Sequence, residues 1–232
     1  MQRAVTPLDD DLSRTIARVR EGRMVLDRDF DRLFPEAIRR RSAAYFSPFL
    51  VARRAAAWLT AEGATRILDV GAGAGKVCII GALTTGATFT GIEHRASLVE
   101  AGQAAIRALG IERAHLLLGT IASVDFDAYE GLYFFNPFEE NLFEASKQLD
   151  QSVPLSAAQR EADVAIVEQA LERARVGTRV VTFYGLGGRI PPTFQALPEQ
   201  SRGTALLRFW VKVAAGGSAR EGIFDGFARQ AP

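Results

Sequence analysis

Two spacings of apolar residues predict most of the secondary structure of this chain. Near the N-terminus, Leu12, Ile16 and Val19 recur at helical spacing and predict an amphipathic helix. From residue 66 onward, short apolar runs predict strands, because a strand buried on both faces is apolar at nearly every position. The predicted strands lie at residues 67–70, 87–93, 115–118, 132–135, 179–184, 193–197 and 205–213.

Helices are predicted in the segments between these runs. Ser47 as N-cap and Pro48 at the first helical position predict a helix that ends near residue 61, before Gly63. A capping box, Ser156-x-x-Gln159, predicts a long helix that ends near residue 177. Further helices are predicted at residues 76–83, 97–109 and 140–149. The glycine-rich tail, residues 214–232, is predicted to be partly loose.

Three glycines at alternate positions, Gly71, Gly73 and Gly75, separate the first strand of this central region from the helix after it. Glycine supplies backbone angles that a Cβ atom forbids and lets a ligand approach the main chain. The following helix N-terminus adds unpaired N–H groups at the same place. The stretch therefore predicts a binding loop for a nucleotide-like ligand.

Residue spacing separates three kinds of glycine loop. A phosphate-binding P-loop is excluded, because the chain has Val70 and Val77 where glycine and a hydroxyl residue are required. The dinucleotide fingerprint fits poorly, since Lys76 or Cys78 occupies its last glycine position, and it is kept as an alternative. The third pattern is acid-x-Gly-x-Gly-x-Gly, which begins at Asp69.

This third pattern resembles motif I of the class I S-adenosylmethionine-dependent methyltransferases, and the resemblance extends over roughly residues 45–213. It implies an α/β fold: a Rossmann-like, seven-stranded, mostly parallel sheet with a C-terminal antiparallel hairpin. It also implies a helical segment, residues 1–62, that acts as a lid on a methyltransferase domain, residues 63–232. The implied cofactor is S-adenosyl-L-methionine, and Tyr45, Phe46 and the Ser47-Pro48 turn are expected to close the lid.

The resemblance assigns roles to residues at the ends of the first three strands. The glycine loop holds the methionine portion, and Asp69 holds its amino group directly or through water. Glu93 ends the second strand, where its carboxylate can accept charge-assisted hydrogen bonds from both ribose hydroxyls. After the third strand, Thr120 stands where the family often has an aspartate for adenine, so the backbone at Thr120 and Ile121 is expected to make that contact.

Asn136, Pro137 and Phe138 follow the fourth strand, at the edge where open α/β sheets bind ligands. They resemble a variant of motif IV of amino-methylating enzymes, with one proline and the aromatic residue one place early. An Asn-x-Phe here is also similar to the non-SET histone lysine methyltransferases. The resemblance implies that Asn136, Pro137 and Phe138 are the catalytic residues that orient the acceptor, and that Asn136 also contacts the cofactor. The simpler interpretation is a strand end turned by Pro137. Glu139 and Glu140 either attract a cationic amine or begin an exposed helix.

Composition narrows the classes of function. At 232 residues with 48% hydrophobic and 24% charged residues, the chain is most simply one globular domain. Its net charge of +1 disfavours a nucleic-acid-coating protein. The single cysteine, Cys78, excludes a disulfide framework and a cysteine metal cluster, and it is predicted to be a buried thiol. With neither a signal peptide nor an apolar membrane span, a cytoplasmic location is the default expectation.

Three functions remain open. The first is transfer of a methyl group from S-adenosylmethionine to an acceptor, a small molecule or a protein side-chain nitrogen; positioning alone suffices for this reaction, so no metal is expected. The second is a nicotinamide-dependent oxidoreductase, which predicts a Tyr-x-x-x-Lys pair or another hydride-transfer acid that the sequence lacks. The third is a non-catalytic cofactor-binding protein. The oligomeric state is not predicted.

Overall fold

The computed structural model describes residues 9–197 and 206–214. Within them, the helices before the first strand are α1 (Asp10–Arg20), α2 (Asp27–Phe30), α3 (Glu36–Arg39), α4 (Ser42–Tyr45) and α5 (Phe49–Leu59). Helix α1 begins where the Asp9 side chain accepts a hydrogen bond from the Leu12 N–H at 2.8 Å. It buries Leu12, Ile16 and Val19, which confirms the amphipathic helix predicted from their spacing.

Seven described strands form one sheet in the order β3-β2-β1-β4-β5-β7-β6. They are β1 (Arg66–Val70), β2 (Thr88–Glu93), β3 (Ala114–Leu118), β4 (Gly131–Phe135), β5 (Arg179–Phe183), β6 (Phe194–Ala196) and β7 (Leu207–Lys212). The first five strands pair in parallel, and β7 runs antiparallel between β5 and β6. The prediction of a Rossmann-like sheet with a C-terminal antiparallel hairpin is confirmed, although Ala205, the predicted start of the last strand, lies outside the described residues.

Helices cover both faces of this sheet, which explains the continuous apolar runs. Helices α5, α6 (Lys76–Thr84) and α7 (Ala96–Leu109) pack on one face with Ile67 of β1. Helix α8 (Ala157–Arg173) packs on the other face, where Leu68 and Val70 point. Alternate residues of one strand therefore enter two separate hydrophobic clusters.

The strand order creates a crevice between β1 and β4. From β1 the chain goes first to β2 on one side, and later to β4 on the other side. The loops that leave β1 and β4 therefore diverge at the carboxyl edge, and ligands of open α/β sheets bind at such a point. The glycine loop and Asn136 both lie at this edge.

The predicted capping role of Ser47 is wrong. Helix α5 begins at Phe49, and the Ser47 hydroxyl is buried in a 2.6 Å hydrogen bond with the hydroxyl of Tyr133 on β4. The Phe49 N–H instead donates to the Asp27 carboxylate at 2.7 Å. A tertiary contact therefore replaces the local cap.

The helix predicted at residues 140–149 is also wrong. Two short 3₁₀ turns, Glu139–Leu142 and Ala145–Lys147, occupy this stretch. The Glu140 carboxylate accepts a hydrogen bond from the Leu149 N–H at 2.5 Å and bends the segment back. Helix α8 begins at its predicted cap but ends at Arg173, four residues before the predicted position.

Residues 215–232, which make up nearly all of the predicted loose tail, lie outside the described part of the chain. Among the helices that are described, none combines the length and apolar character needed to cross a lipid bilayer.

Candidate cofactor and methyl-transfer site

A cavity of about 530 Å³ opens at the carboxyl ends of β1, β2 and β4. Most of the residues predicted to bind cofactor or acceptor line it. These are Gly71, Gly73, Glu93, Thr120, Ile121, Asn136, Pro137 and Phe138. The structure therefore brings together, in one cavity, positions that are spread over almost 70 residues of sequence.

The floor of the cavity is formed by main chain at positions where only glycine fits. Gly71 and Gly73 have φ of 72° and 57°, in the left-handed region that favours glycine. A Cβ atom on Gly71 would lie 2.9 Å from the Pro137 Cβ, and one on Gly73 would lie 2.6 Å from the Phe46 ring. The glycines are thus needed both for the turn and for the close approach of the two cavity walls.

Glu93 is buried at the end of β2 and faces the glycine loop. One carboxylate oxygen accepts the Gly73 N–H, and the other accepts the Arg95 N–H, both at 2.9 Å. Each carboxylate oxygen has two lone-pair sites, so each can still accept one hydroxyl. A carboxylate with one free lone-pair site on each oxygen could accept hydrogen bonds from both hydroxyls of a ribose lying across the floor.

Asp69 and Gly75 do not line the cavity, so their predicted contacts with the cofactor remain predictions. Asp69 is buried behind the loop, where its carboxyl accepts a weak hydrogen bond from the Cys78 thiol at 3.7 Å. Burial, together with the charge of Glu93, raises the pKa of Asp69 to about 7, although the thiol opposes this shift. Burial also raises the pKa of Cys78, which confirms its prediction as a buried thiol.

Asn136 has an unusual backbone conformation at the end of β4. Its φ of 41° lies in the left-handed region, which is sparsely populated by non-glycine residues. Its N–H donates to the carbonyl of Gly185, just beyond β5, at 3.1 Å. Strained backbone of this kind is commonly stored at functional sites. Pro137 then contacts Gly71, so the end of β4 abuts the glycine loop.

Helix α4 and the residues after it cover the cavity from the N-terminal side. Ala44, Tyr45 and Phe46 line it, and the Phe46 ring lies against Gly73. The Tyr45 hydroxyl donates to the Lys147 carbonyl at 2.6 Å, so this cover touches the segment after β4.

Lys76 fastens the N-terminal helices to the glycine loop. It is buried at the first position of α6, where its ammonium lies 2.5 Å from Asp27 and 2.7 Å from Asp31. A cation at a helix N-terminus is unfavourable unless it is compensated. That conflict is the one sequence signal that could have suggested a buried acidic partner for Lys76.

Arg95 fastens the segment after β4 in the same way. Its buried guanidinium donates to Glu140 and to Asp150, both at 3.0 Å. The Glu140 side chain therefore pairs across the cavity rather than beginning an exposed helix. Sequence reasoning missed Arg95, because its partners lie 45 and 55 residues away.

The end of the cavity near β3 is more polar. His94 lies 3.7 Å from the Glu93 carboxylate and is partly exposed. Thr120, Ile121, Gln159 and Asp163 line the same end. No cluster of three metal-ligating side chains occurs in residues 9–197 and 206–214.

A glycine floor under a buried carboxylate, at the switch point of a doubly wound sheet, defines a class I S-adenosylmethionine-dependent methyltransferase. The sequence comparison gives the family: the chain belongs to the protein-L-isoaspartate(D-aspartate) O-methyltransferase family, whose profile matches residues 35–154. S-adenosylmethionine is its cofactor. A comparison with curated protein sequences found no match.

Solved structures with a similar fold include several methyltransferases. An RNA methyltransferase from Salinibacter ruber, bound to S-adenosyl-L-homocysteine, is 18% identical over 75% of this chain and 96% of its own, with a TM-score of 0.49. Mitomycin 7-O-methyltransferase is 14% identical over 72% and 54%, with a TM-score of 0.49. An rRNA methylase from Streptococcus thermophilus is 15% identical over 71% and 95%, with a TM-score of 0.44. These names say nothing about the acceptor of the present chain.

Proposed function

We propose that the chain transfers a methyl group from S-adenosylmethionine to a nitrogen of a small-molecule amine or a protein side chain. The cofactor supplies an electrophilic sulfonium methyl group. The observation that carries the proposal is the left-handed Asn136, which borders the cavity together with Glu139 and Glu140. In this proposal the Asn136 side-chain oxygen accepts a hydrogen bond from the acceptor N–H and orients the nitrogen lone pair.

The charges at this end of the cavity favour a nitrogen acceptor. Nitrogen becomes positively charged as it takes the methyl group, and preorganised negative charge stabilises such a transition state. Glu139 is 3.5 Å from Arg160, and Glu140 shares Arg95 with Asp150. Glu140 and Asp150 are two carboxylates that share one guanidinium, so this group of three side chains has a net negative charge. In the proposal that charge lies beside the acceptor.

Aromatic rings flank the same place. Phe135, Phe138 and Phe143 line the cavity, and the Phe135 ring lies 5.8 Å from that of Tyr184. Aromatic faces attract cationic nitrogen through their quadrupole. The rings and the carboxylates therefore favour the same acceptor chemistry.

A second candidate is methylation of a carboxylate oxygen, as the name of the family indicates. The match over residues 35–154 favours it, since that range includes the glycine loop, Glu93 and Asn136. The carboxylates near Asn136 count against it, because like charges brought together in a partly buried site repel.

The stability of the product to base distinguishes the two candidates. The chain is incubated with S-adenosylmethionine carrying a labelled methyl group and with three acceptors: a lysine-rich peptide, a polyamine and an isoaspartyl peptide. Methyl esters release methanol at high pH, whereas N-methyl groups do not. The proposal expects base-stable label on one of the amine acceptors, and base-labile label confined to the isoaspartyl peptide would contradict it.

Variants of Asn136 test its role apart from its backbone. Asn136→Gly keeps the left-handed conformation and removes the side chain, whereas Asn136→Ala also strains the backbone. We expect both variants to bind S-adenosylhomocysteine near normally and to lose turnover by tenfold or more, as removal of a group that acts in the transition state predicts. Full turnover in Asn136→Gly would show that only the backbone matters.

We also propose that residues 1–62 act as a lid on the domain of residues 63–232 in a cytoplasmic enzyme that does not act on nucleic acid. The contacts of Phe46 with Gly73 and of Lys76 with Asp27 support the lid. The formal net charge of +1 supports the last point.

A further inference from the structure

The roles proposed for Glu93 and Asn136, which both line the cavity, set the direction of the cofactor and so the place of its base. In that proposal Glu93 at the end of β2 takes the sugar, and the methyl group is transferred beside Asn136 at the end of β4. The strand order puts β3 on the side of β2 away from β4. The adenine base therefore lies beyond Glu93, against the residues that follow β3.

The residues that follow β3 at this end of the cavity include no acidic side chain that could accept a hydrogen bond from adenine. Adenine carries an exocyclic amine with two N–H donors, and a buried donor needs an acceptor. Thr120 follows β3 there with a neutral hydroxyl, and Ile121 contributes an apolar side chain. The backbone carbonyls of Thr120 and Ile121, which were expected to contact adenine, already accept hydrogen bonds from Ser123 and Val124. An acceptor with a free oxygen would therefore come from another element.

Helix α8 supplies a carboxylate at this place. It packs against the 3₁₀ turn Ile121–Ser123, and both Gln159 and Asp163 line the cavity. Gln159 Nε2 donates to Asp163 Oδ1 at 2.8 Å, which fixes the carboxyl orientation. Among the described residues, no hydrogen bond is made to Asp163 Oδ2, so this oxygen is available to a ligand.

Asp163 is partly buried where it lines the cavity. Burial raises its pKa, and the hydrogen bond from Gln159 and the nearby charge of His94 oppose this shift. His94 itself lies 3.7 Å from the Glu93 carboxylate. All three of these side chains line the cavity.

We propose that Asp163, oriented by Gln159, accepts a hydrogen bond from the exocyclic amine of the adenine and so selects the cofactor base. The carboxylate acts from α8, in place of an acid after β3. The inference concerns the cofactor alone and does not depend on which acceptor is methylated.

A cofactor analogue isolates this contact. S-inosylhomocysteine differs from S-adenosylhomocysteine in carrying a carbonyl oxygen where adenine has its amine, and an N–H donor at ring position N1 where adenine has an acceptor. Calorimetric titration of the native chain is expected to show at least tenfold tighter binding of the adenosyl compound. In Asp163→Ala that preference should fall below threefold, because adenosyl binding weakens while inosyl binding stays the same or improves.

Two further variants sharpen the result. In Asp163→Asn the new amide can donate to the inosyl carbonyl, so the preference should shift further towards the inosyl compound. Glu161→Ala, on the exposed face of the same helix turn, should leave both affinities unchanged. Thermal unfolding of each variant checks that it is folded.

Three outcomes would overturn the proposal. The first is unchanged discrimination in Asp163→Ala, and the second is equal weakening of both compounds, which indicates a structural role. The third is unaltered cofactor affinity with a raised KM for the acceptor, which would assign Asp163 to acceptor binding.

Discussion

The two halves of the cavity are built by different means. The half proposed to hold the cofactor is made of main chain and one carboxylate: Gly71 and Gly73 turn beneath a buried Glu93 within 23 residues of sequence. The half proposed to hold the acceptor depends on long-range side-chain contacts. Arg95 reaches Glu140 and Asp150, and the Tyr45 hydroxyl reaches the Lys147 carbonyl.

This difference separates what is common to the chemistry from what is particular to the protein. A cofactor of fixed shape needs a rigid floor, which backbone conformation provides. An acceptor pocket differs between proteins, and here it depends on a segment held by a few long-range polar contacts. We call these contacts, from Arg95 to Glu140 and Asp150 and from Tyr45 to Lys147, the clasps. Loops of this kind commonly determine specificity. Perturbing the floor should therefore affect stability and cofactor affinity most, and perturbing the clasps should affect the segment over the acceptor.

The largest expected effect is on stability, through Asp69 behind the floor. Its pKa is raised to about 7 in the folded chain, against 3.8 for an unperturbed aspartate. As pH rises above 4, the unfolded chain releases this proton first, so the free energy of unfolding falls until about pH 7. The free energy of unfolding should fall by at most about 4 kcal/mol over this pH range, since a shift of one pKa unit corresponds to about 1.4 kcal/mol.

Denaturant unfolding of the native chain and of Asp69→Asn at several pH values from 4 to 8 measures this. The variant lacks the titrating group, so its stability relative to the native chain should increase with pH across that range. Parallel curves would show that folding does not raise the pKa of Asp69.

Glu93→Ala should give the next largest effect. It removes the acceptor of the Gly73 and Arg95 N–H groups as well as the proposed site for the sugar. The affinity for S-adenosylhomocysteine should fall by about 1.5–3 kcal/mol, the range for hydrogen bonds to a charged group. Calorimetry measures the loss, and unchanged affinity would exclude Glu93 from ribose binding.

Arg95→Met should loosen the segment over the acceptor. It leaves Glu140 and Asp150 without their shared cation, and carboxylates so placed repel each other. Residues 139–150 should become several-fold more sensitive to limited proteolysis, with a smaller change in cofactor affinity than in Glu93→Ala. Arg189→Met is the matched control, since that side chain is 90% exposed. If proteolysis of residues 139–150 is equally slow in both variants, Arg95 does not hold this segment in place.

Tyr45→Phe should give the smallest effect. The substitution removes one hydrogen bond, to Lys147, which typically contributes about 0.5–1.5 kcal/mol. Hydrogen exchange of residues 143–149 should quicken up to tenfold, while Tyr129→Phe should leave it unchanged. A larger effect on cofactor binding than that of Glu93→Ala would reverse the proposed difference between the two halves.

The sequence predicted the floor well because its causes are local. Gly71 and Gly73 belong to a run of alternating glycines after an apolar strand, and Glu93 is an acid at the end of the next strand. All three lie within one βαβ unit, so local patterns predict their arrangement. The mostly parallel sheet and its closing hairpin were predicted in another way, through the resemblance to a known fold, and the strand order was not predicted. Asp69 was marked too, although its burial behind the loop was not.

The clasps could not be predicted, because each joins residues far apart in sequence. Ser47 fits the pattern of a helix cap, yet its hydroxyl bonds Tyr133, 86 residues away. Residues 140–149 have a helical pattern, yet the pairing of Glu140 with Arg95 bends them. Local propensity loses to tertiary contacts at such places.

The most direct test is a crystal structure of the chain with S-adenosylhomocysteine. The ribose hydroxyls should lie about 2.5–2.7 Å from the Glu93 carboxylate, as charge-assisted O–H···O⁻ bonds do, with the methionine portion over Gly71 and Gly73. A ligand bound elsewhere, or a sugar that leaves Glu93 untouched, would contradict the account.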